Sequence, residues 1–442
     1  MVAQLLEAIA RRGLASGISL CATSYLAHHF AASSLGTYAG MLAMGQILLM
    51  IFLAGLDVSP LYMIRNQIQL HRRVWTVATA GSLGLAASCL LLGAIALNAS
   101  LMFGPHWARV QAWGWTPFLY AAGMIMLMPQ YACLQGLLQF RTFNLLQIGY
   151  PLSVVAMILA VDLVYGKLSA SAAVLCWGAA GLLVAIAAAL VAIRRVDRTG
   201  HSPVVTEVLQ IGAFFRFSMR SYLANCIGTL NSRLPNLLVT LVLVPDAAGL
   251  FAGAVFLCEL FSFFSFAIAS VTLPALAGVA DTRLRMLELE RACRLNSTFT
   301  LAAVAVFLAL FEPLCRLLLG TSFITPTFSL MAMLVLPFTV PHSTARILCT
   351  DLTAQGKPLW NALPNVPATI VFVALLWGLR ESWGVWGAVI AYCASSFSFS
   401  ALAYLVYRQH SPIRLTAIGL VSRADVAGAW KFLRDHRFGQ GR

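Results

Sequence analysis

The chain has 442 residues, of which 60% are hydrophobic and only 10% charged. Soluble domains carry about 25% charged residues, so this composition excludes an ordinary water-facing globular surface and points to a bilayer as solvent. The net charge of +14 raises nucleic acid as a partner, but the placement of the basic residues argues against it.

A helical span needs about 20 apolar residues. In chain order the apolar stretches predict twelve spans: 13–33, 38–62, 75–98, 114–136, 144–165, 171–193, 212–243, 249–274, 296–318, 326–350, 360–379 and 385–407. Arg11 and Arg12 precede the first, which has no convincing small-residue cleavage site and reads as a span, not a signal peptide. His28 and His29 close that span on the outer side. Arg65, Arg72 and Arg73 follow the second span and Arg141 the fourth. Arg194, Arg195 and Arg198 follow the sixth, Arg283, Arg285, Arg291 and Arg294 the eighth, and Lys357 the tenth. The tail adds Arg408, Arg414, Arg423, Lys431, Arg434, Arg437 and Arg442, whereas the opposite side holds Arg109, Lys167 and Arg380. That bias, 21 against 3, places both termini in the cytoplasm by the positive-inside rule. The basic excess is therefore a topology signal, with anionic lipid headgroups as its natural contacts. The ten cysteines fall almost wholly inside spans, without a CxxC or His-Cys cluster, so neither a disulfide framework nor a metal site is expected.

The second half repeats the first. Leu35 to Gly40 read LGTYAG and Ala248 to Gly253 read AGLFAG; Gln135-Gly136 returns as Gln355-Gly356, and Tyr165-Gly166 as Trp383-Gly384. The offsets of 213, 220 and 218 residues keep one register. Six spans per half give both halves one orientation, so an axis along the membrane normal should relate them. The expected units are an N-terminal lobe at 1–210, a C-terminal lobe at 211–407 and a basic cytoplasmic tail at 408–442. The expected fold is an all-α polytopic membrane protein with its site between two six-helix lobes.

LGTYAG leading into a glycine-rich second span, Ala54-Gly55-Leu56-Asp57 near its inner end, Gln135-Gly136 with Phe140 and Asn144, Gln355-Gly356-Lys357 with Asn361, and Trp383-Gly384-Val385-Trp386-Gly387-Ala388 together resemble the Wzx-type oligosaccharide flippases. These belong to the multidrug/oligosaccharidyl-lipid/polysaccharide exporter superfamily, and the resemblance runs over about 1–407. It implies alternating access between two lobes in a bacterial inner membrane. The cargo it implies is a polyprenyl-pyrophosphate-linked oligosaccharide for polysaccharide or O-antigen synthesis, and polymerase and chain-length machinery are the implied partners. Cation-coupled drug exporters of the same superfamily share twelve spans and are the rival reading. A non-transporting scaffold for sugar polymerases is a third.

The seventh span carries a polar stripe of Ser218, Ser221, Tyr222, Asn225, Thr229, Ser232, Asn236 and Thr240, with Arg233 at its edge. Such a stripe must face protein or water. It reads as a cavity wall for sugar hydroxyls or phosphate, or as interhelical glue worth about 0.6 kcal/mol per bond. Arg233 and Glu259 flank the turn at Asp246 symmetrically, so an antiparallel hairpin brings them to one depth. An unpaired arginine there costs roughly 2.5–3.5 kcal/mol, which predicts that the two approach each other. In the repeat register Glu259 matches Gln46. His342 and Arg346 share a face of the tenth span after Pro337 and Pro341. Arg233, Asn225, Asn236, His342, Arg346 and Gln46 are thus the expected cargo contacts. Glu259 and Asp57 are candidates for coupling or ion pairing, with Arg65 an alternative partner for Asp57. Arg216 and Arg220 read as arginines snorkelling to headgroups or as an entrance gate for an anionic lipid. Gly166-Lys167 and Gly356-Lys357 are followed by Leu and Pro, so neither completes a phosphate-binding loop. No enzyme, cofactor or metal is expected, and any driving force comes from a gradient.

Overall fold

A computed structural model describes residues 2–57, 59–66, 71–98, 105–199, 211–277, 282–355, 357–410 and 419–420. The first half comprises α1 (Val2–His29), α2 (Ala32–Leu53), α3 (Ser59–Asn66), α4 (His71–Asn98), α5 (Pro105–Trp113), α6 (Thr116–Gly136), α7 (Phe140–Tyr165) and α8 (Ala170–Thr199). The second comprises α9 (Ile211–Val242), α10 (Pro245–Ala277), α11 (Thr282–Ala309), α12 (Phe311–Leu319), α13 (Pro326–Ala354), α14 (Pro358–Ala362), α15 (Asn365–Trp383) and α16 (Val385–His410). Among the described residues twelve of these helices are long, six in each half, and they follow the twelve expected spans in order. Ten carry a described stretch long and apolar enough to cross a membrane. The two that do not, α1 and α9, both line the central cavity; in α9 the reason is its polar middle.

Three expected spans are not continuous; the eleventh, expected at 360–379, is interrupted at Leu363 and Pro364 between α14 and α15. The second ends at Leu53, where Ala54 and Gly55 turn left-handed (φ 49° and 80°) and put Asp57 in a turn before α3. The sequence places the ninth at 296–318, but α11 starts at Thr282 and the chain breaks at Leu310 before the short α12. The arginines at 283–294 therefore sit on the helix itself rather than in a connecting loop. Glu290 and Arg294 pair one turn apart there at 3.7 Å, so helical spacing satisfies charges that a loop would have left to water. The proposed tail lies almost wholly outside the described residues.

Each half packs into its own lobe. In the first, α6 lies against α8, α4 and α2, and α1 against α7; in the second, α13 lies against α10, α11 and α16, and α15 against α16. The lobes meet mainly through α2, which runs along α9 and against α10. The end of the bundle where α1 begins carries most of the basic loops and is called the basic end; α1 finishes and α2 begins at the opposite end.

The repeat explains that junction. LGTYAG starts α2, AGLFAG starts α10, and their second residues, Gly36 and Gly249, face each other at the opposite end. A Cβ on Gly36 would come within 2.6 Å of the Gly249 nitrogen, and one on Gly249 would collide outright with the Ala32 carbonyl. Only glycine permits this backbone approach. Equivalent residues touching each other is what a two-fold relation between the halves requires. The Tyr165-Gly166 and Trp383-Gly384 repeats also correspond: each glycine ends a helix, α7 or α15, with positive φ (64° and 52°).

Gly249→Ala should therefore force the seam apart and lower stability by about 1–3 kcal/mol, the usual cost of overpacking. Gly84→Ala, which meets nothing within 4 Å, should leave it unchanged. Thermal unfolding in detergent checks the pair.

Candidate functional site

Between the lobes lies a cavity of about 1340 Å³. The first half supplies α1, α2 and α7 to its wall, and the second α9, α10, α13, α15 and α16. Along α1 the lining runs from Gly13 and Ser16, toward the basic end, to buried Ala27, short of the helix's other end. Leu35 and Leu319, both buried, close the floor beside it. The cavity therefore opens toward the basic end and is floored at the opposite one.

Several cross-lobe contacts hold that floor. Arg109 of α5 donates from Nη1 to the carbonyls of Thr240 (2.7 Å) and Leu243 (2.5 Å), the last turn of α9. Cations are favoured at such a terminus. Ser24 Oγ donates to the Leu318 carbonyl at 2.6 Å, and His28 Nε2 lies 3.0 Å from the Arg316 carbonyl. Toward the basic end the described cross-lobe hydrogen bonds run between the α9 side and α2 or the turn after it. Tyr222 Oη donates to the Ile51 carbonyl at 2.8 Å, and Asn225 Nδ2 to Asp57 Oδ2 at 3.2 Å.

The polar stripe of α9 is thus divided. Its ends are glue: Tyr222 holds α2, and Thr240 is buried, donating to the Asn236 carbonyl with its methyl group packed on Gly40. Its middle, with Asn225, Thr229, Ser232 and Asn236, lines the cavity. Ser218, Ser221, Arg216 and Arg220 have side chains outside the described set, so the entrance-gate expectation is not placed; Arg65 is likewise outside it. Asp57 lies in the turn after α2, bonded to the lining residue Asn225 but not itself part of the described cavity wall.

Arg233 and Glu259 meet as the hairpin spacing predicts, with Nη1 and Oε1 2.5 Å apart. Both are partly open to the cavity, the side chains being 28% and 43% exposed. His342 and Arg346 share the wall formed by α13. Arg346 lies within electrostatic range of Glu259, Arg233 and Tyr392. The His342 ring packs 4.8 Å from Phe399, and its Nδ1 has no described partner. Gln46 lines the first lobe's side with a buried Oε1 that has no partner among the described residues. The repeat-matched residues Gln46 and Glu259 thus face one space. Among the described lining residues the charged groups are Arg233, Arg346 and Glu259, two cations against one anion, so the described lining carries a net positive charge.

Part of the wall was not anticipated from the sequence. Asn231 donates to Asn365 Oδ1 at 3.0 Å and accepts from Thr369 at 3.2 Å. With Asn361 this makes an amide surface where α14 gives way to α15. Ser16, Ser19 and Thr23 of α1 also line the cavity. Their i, i+3, i+7 spacing was visible in the sequence as a narrow polar stripe. The Asn231–Asn365 contact joins residues more than a hundred apart and left no local signal.

A family described as "Polysaccharide biosynthesis protein" matches residues 26–326, and the chain belongs to that family. No curated protein matches it. Among solved structures it is similar to a multidrug resistance MATE family transporter of the MOP superfamily in an inward-facing conformation. That match has 17% identity and a TM-score of 0.62, covering 91% of this chain and 94% of that one. The lipid II flippase MurJ, inward closed, aligns at 10% identity and TM-score 0.66 over 90% and 87% of the two chains. The MATE transporter VcmN of Vibrio cholerae, in its bent form, aligns at 17% identity and TM-score 0.56 over 92% and 96%. At these identities the likeness establishes the fold: this chain shares the all-helical, many-spanned architecture of those structures.

The half-exposed Arg233–Glu259 pair should be weakly coupled. A double-mutant cycle with Arg233→Gln and Glu259→Gln, read by thermal unfolding, should give an interaction energy below about 1 kcal/mol. A dry, buried pair would give several times more.

Proposed function

We propose that this polysaccharide-biosynthesis family member is a flippase for a polyprenyl-pyrophosphate-linked oligosaccharide, working by alternating access in a bacterial inner membrane with both termini cytoplasmic. The observation that carries this reading is the sign of the cavity. Arg233 and Arg346 outnumber Glu259 among the described lining charges. A pyrophosphate headgroup needs a basic cavity, whereas a cationic drug needs an acidic one. The opening toward the basic end suits uptake from the inner leaflet. The polyprenyl chain stays in lipid while the headgroup crosses.

Arginine binds phosphate through a planar fork of donors, and the water-exposed Glu259 is an acceptor the cargo can replace. Phosphate oxygens displace Glu259 from Arg233 and recruit Arg346. Glu259, freed of its cation, then becomes the group able to take up a proton, which would couple export to a gradient. The amides Asn225, Asn231, Asn236 and Asn361 offer donors and acceptors to sugar hydroxyls. Asp57, held by Asn225 outside this wall, acts as a brace between lobes. No reaction is assigned to the protein and no cofactor is required; polymerase and chain-length proteins are its expected neighbours.

Translocation of a fluorescent polyprenyl-pyrophosphate oligosaccharide in proteoliposomes tests the proposal. Hydrogen bonds to charged groups contribute about 1.5–3 kcal/mol, so Arg346→Ala and Arg233→Ala should each slow transport by roughly 10- to 150-fold. Unchanged rates in both variants, with export of a cationic dye by the parent protein, would replace this reading with the drug-exporter one. Glu259→Gln should abolish the response to a pH gradient while leaving cargo binding in place; an intact response would remove the proton-carrier role.

A further inference from the structure

The floor of the cavity contains a histidine whose geometry fits one protonation state. His28 is the penultimate residue of α1. Its Nδ1 lies 2.8 Å from the Ser24 carbonyl on its own helix, and its Nε2 lies 3.0 Å from the Arg316 carbonyl of α12, in the other lobe. Both partners are main-chain carbonyl oxygens, which only accept hydrogen bonds. A neutral imidazole has one N–H and can satisfy one of them; the other ring nitrogen then presents a lone pair to an oxygen. The imidazolium has two N–H groups and satisfies both. Two helix C-termini also converge on this ring, that of α1 at His29 and that of α12 at Leu319, and each favours a positive charge. Gly320, with its positive φ of 84°, ends α12 beside the His28 ring.

We infer that His28 is a proton-binding site and that the bound proton clasps the two lobes together at the floor. The inference rests on the alternating-access reading above, because it concerns the closure that must open when the cavity faces the other way. Ser24 Oγ, one turn earlier, takes the neighbouring Leu318 carbonyl, so His28 is the titratable member of a two-point contact. The charged groups around it are already engaged. On α12, Arg316 pairs with Glu312 at 3.0 Å. On α1 and α7, Asp162 accepts from Tyr25 Oη at 2.6 Å and lies 3.9 Å from His29 Nε2, and the His29 ring stacks on Tyr25 at 4.1 Å. His29 makes these contacts within the first lobe, so they do not cross the seam.

The sign follows from linkage. The floor-closed state holds the second proton and the floor-open state, which loses the Arg316 contact, has no such need of it. Lowering the pH on the floor side therefore favours closure, and raising it favours opening. Histidine is the side chain whose charge changes between about pH 5 and 8, the range an external medium covers.

The test uses the full-length protein in lipid nanodiscs, with fluorophores attached through unnatural amino acids at Leu163 and Leu317. These are exposed residues on α7 and α12, and this labelling avoids the native cysteines. Single-molecule energy transfer reads the closed population. The parent protein should lose at least threefold in its closed-to-open ratio as pH rises through that range. His28→Gln should be flat and biased open, His28→Lys flat and biased closed, and His29→Gln should titrate like the parent. A parent-like pH response in either His28 variant overturns the inference, as does a flat response in the parent. A seam that opens with added polyprenyl-pyrophosphate glycan but ignores pH overturns the clasp while leaving the flippase reading standing.

Discussion

The contact on which the architecture turns is the backbone approach of Gly36 to Gly249. It sits where the two copies of the repeated hexapeptide meet, each at the start of its own helix. Lipid supplies no hydrophobic driving force between helices, so lobes in a bilayer associate through close packing and hydrogen bonds. At this point neither glycine leaves room for a side chain. The Arg109 bonds to the end of α9 and the Ser24 and His28 bonds to the end of α12 flank it. Together they set the floor of the cavity and hence the direction in which it opens.

Above that floor the two lobes contribute unequally. The repeat register aligns Gln46 with Glu259, and both face the cavity, so ancestry gave two equivalent positions of which one carries charge. The second lobe also brings both lining arginines. Charge is concentrated on one wall, while the α1 wall offers hydroxyls and small residues. Such a surface suits the proposed cargo, with an anionic headgroup on one side and bulky polar sugars against the other.

Much of this was legible in the sequence. The succession of spans, the relation between halves and the Arg233–Glu259 approach came from apolar length, from internal repetition and from equal spacing about a turn. These signals are local or periodic, and the membrane enforces them strictly. The division of the α9 stripe was not legible. Tyr222 and Thr240 carry the same polarity as Thr229 and Asn236, and only the course of α2 decides which of them meet backbone and which meet water. The breaks at Ala54 and Leu310 were likewise hidden inside apolar runs. The amide surface of Asn231, Asn361 and Asn365 needed the packing of α9 on α14 and α15 to appear at all.

The full-length contact of α9 with α2 has no comparable match on the other side, where α1 meets α10 and α12 only sparsely. The molecule is therefore bound along the length of one edge, like a book along its spine, and at the other edge chiefly at the floor. Rotation about a spine moves nearby residues little and distant ones far. Tyr222 and Asn225 lie on the spine, so in the proposed alternating-access cycle their bonds would persist, while α1 and α7 would swing through the widest arc. For the flippase proposed above, a lipid-anchored cargo would have one fore-edge to use, so a single chain would pass at a time.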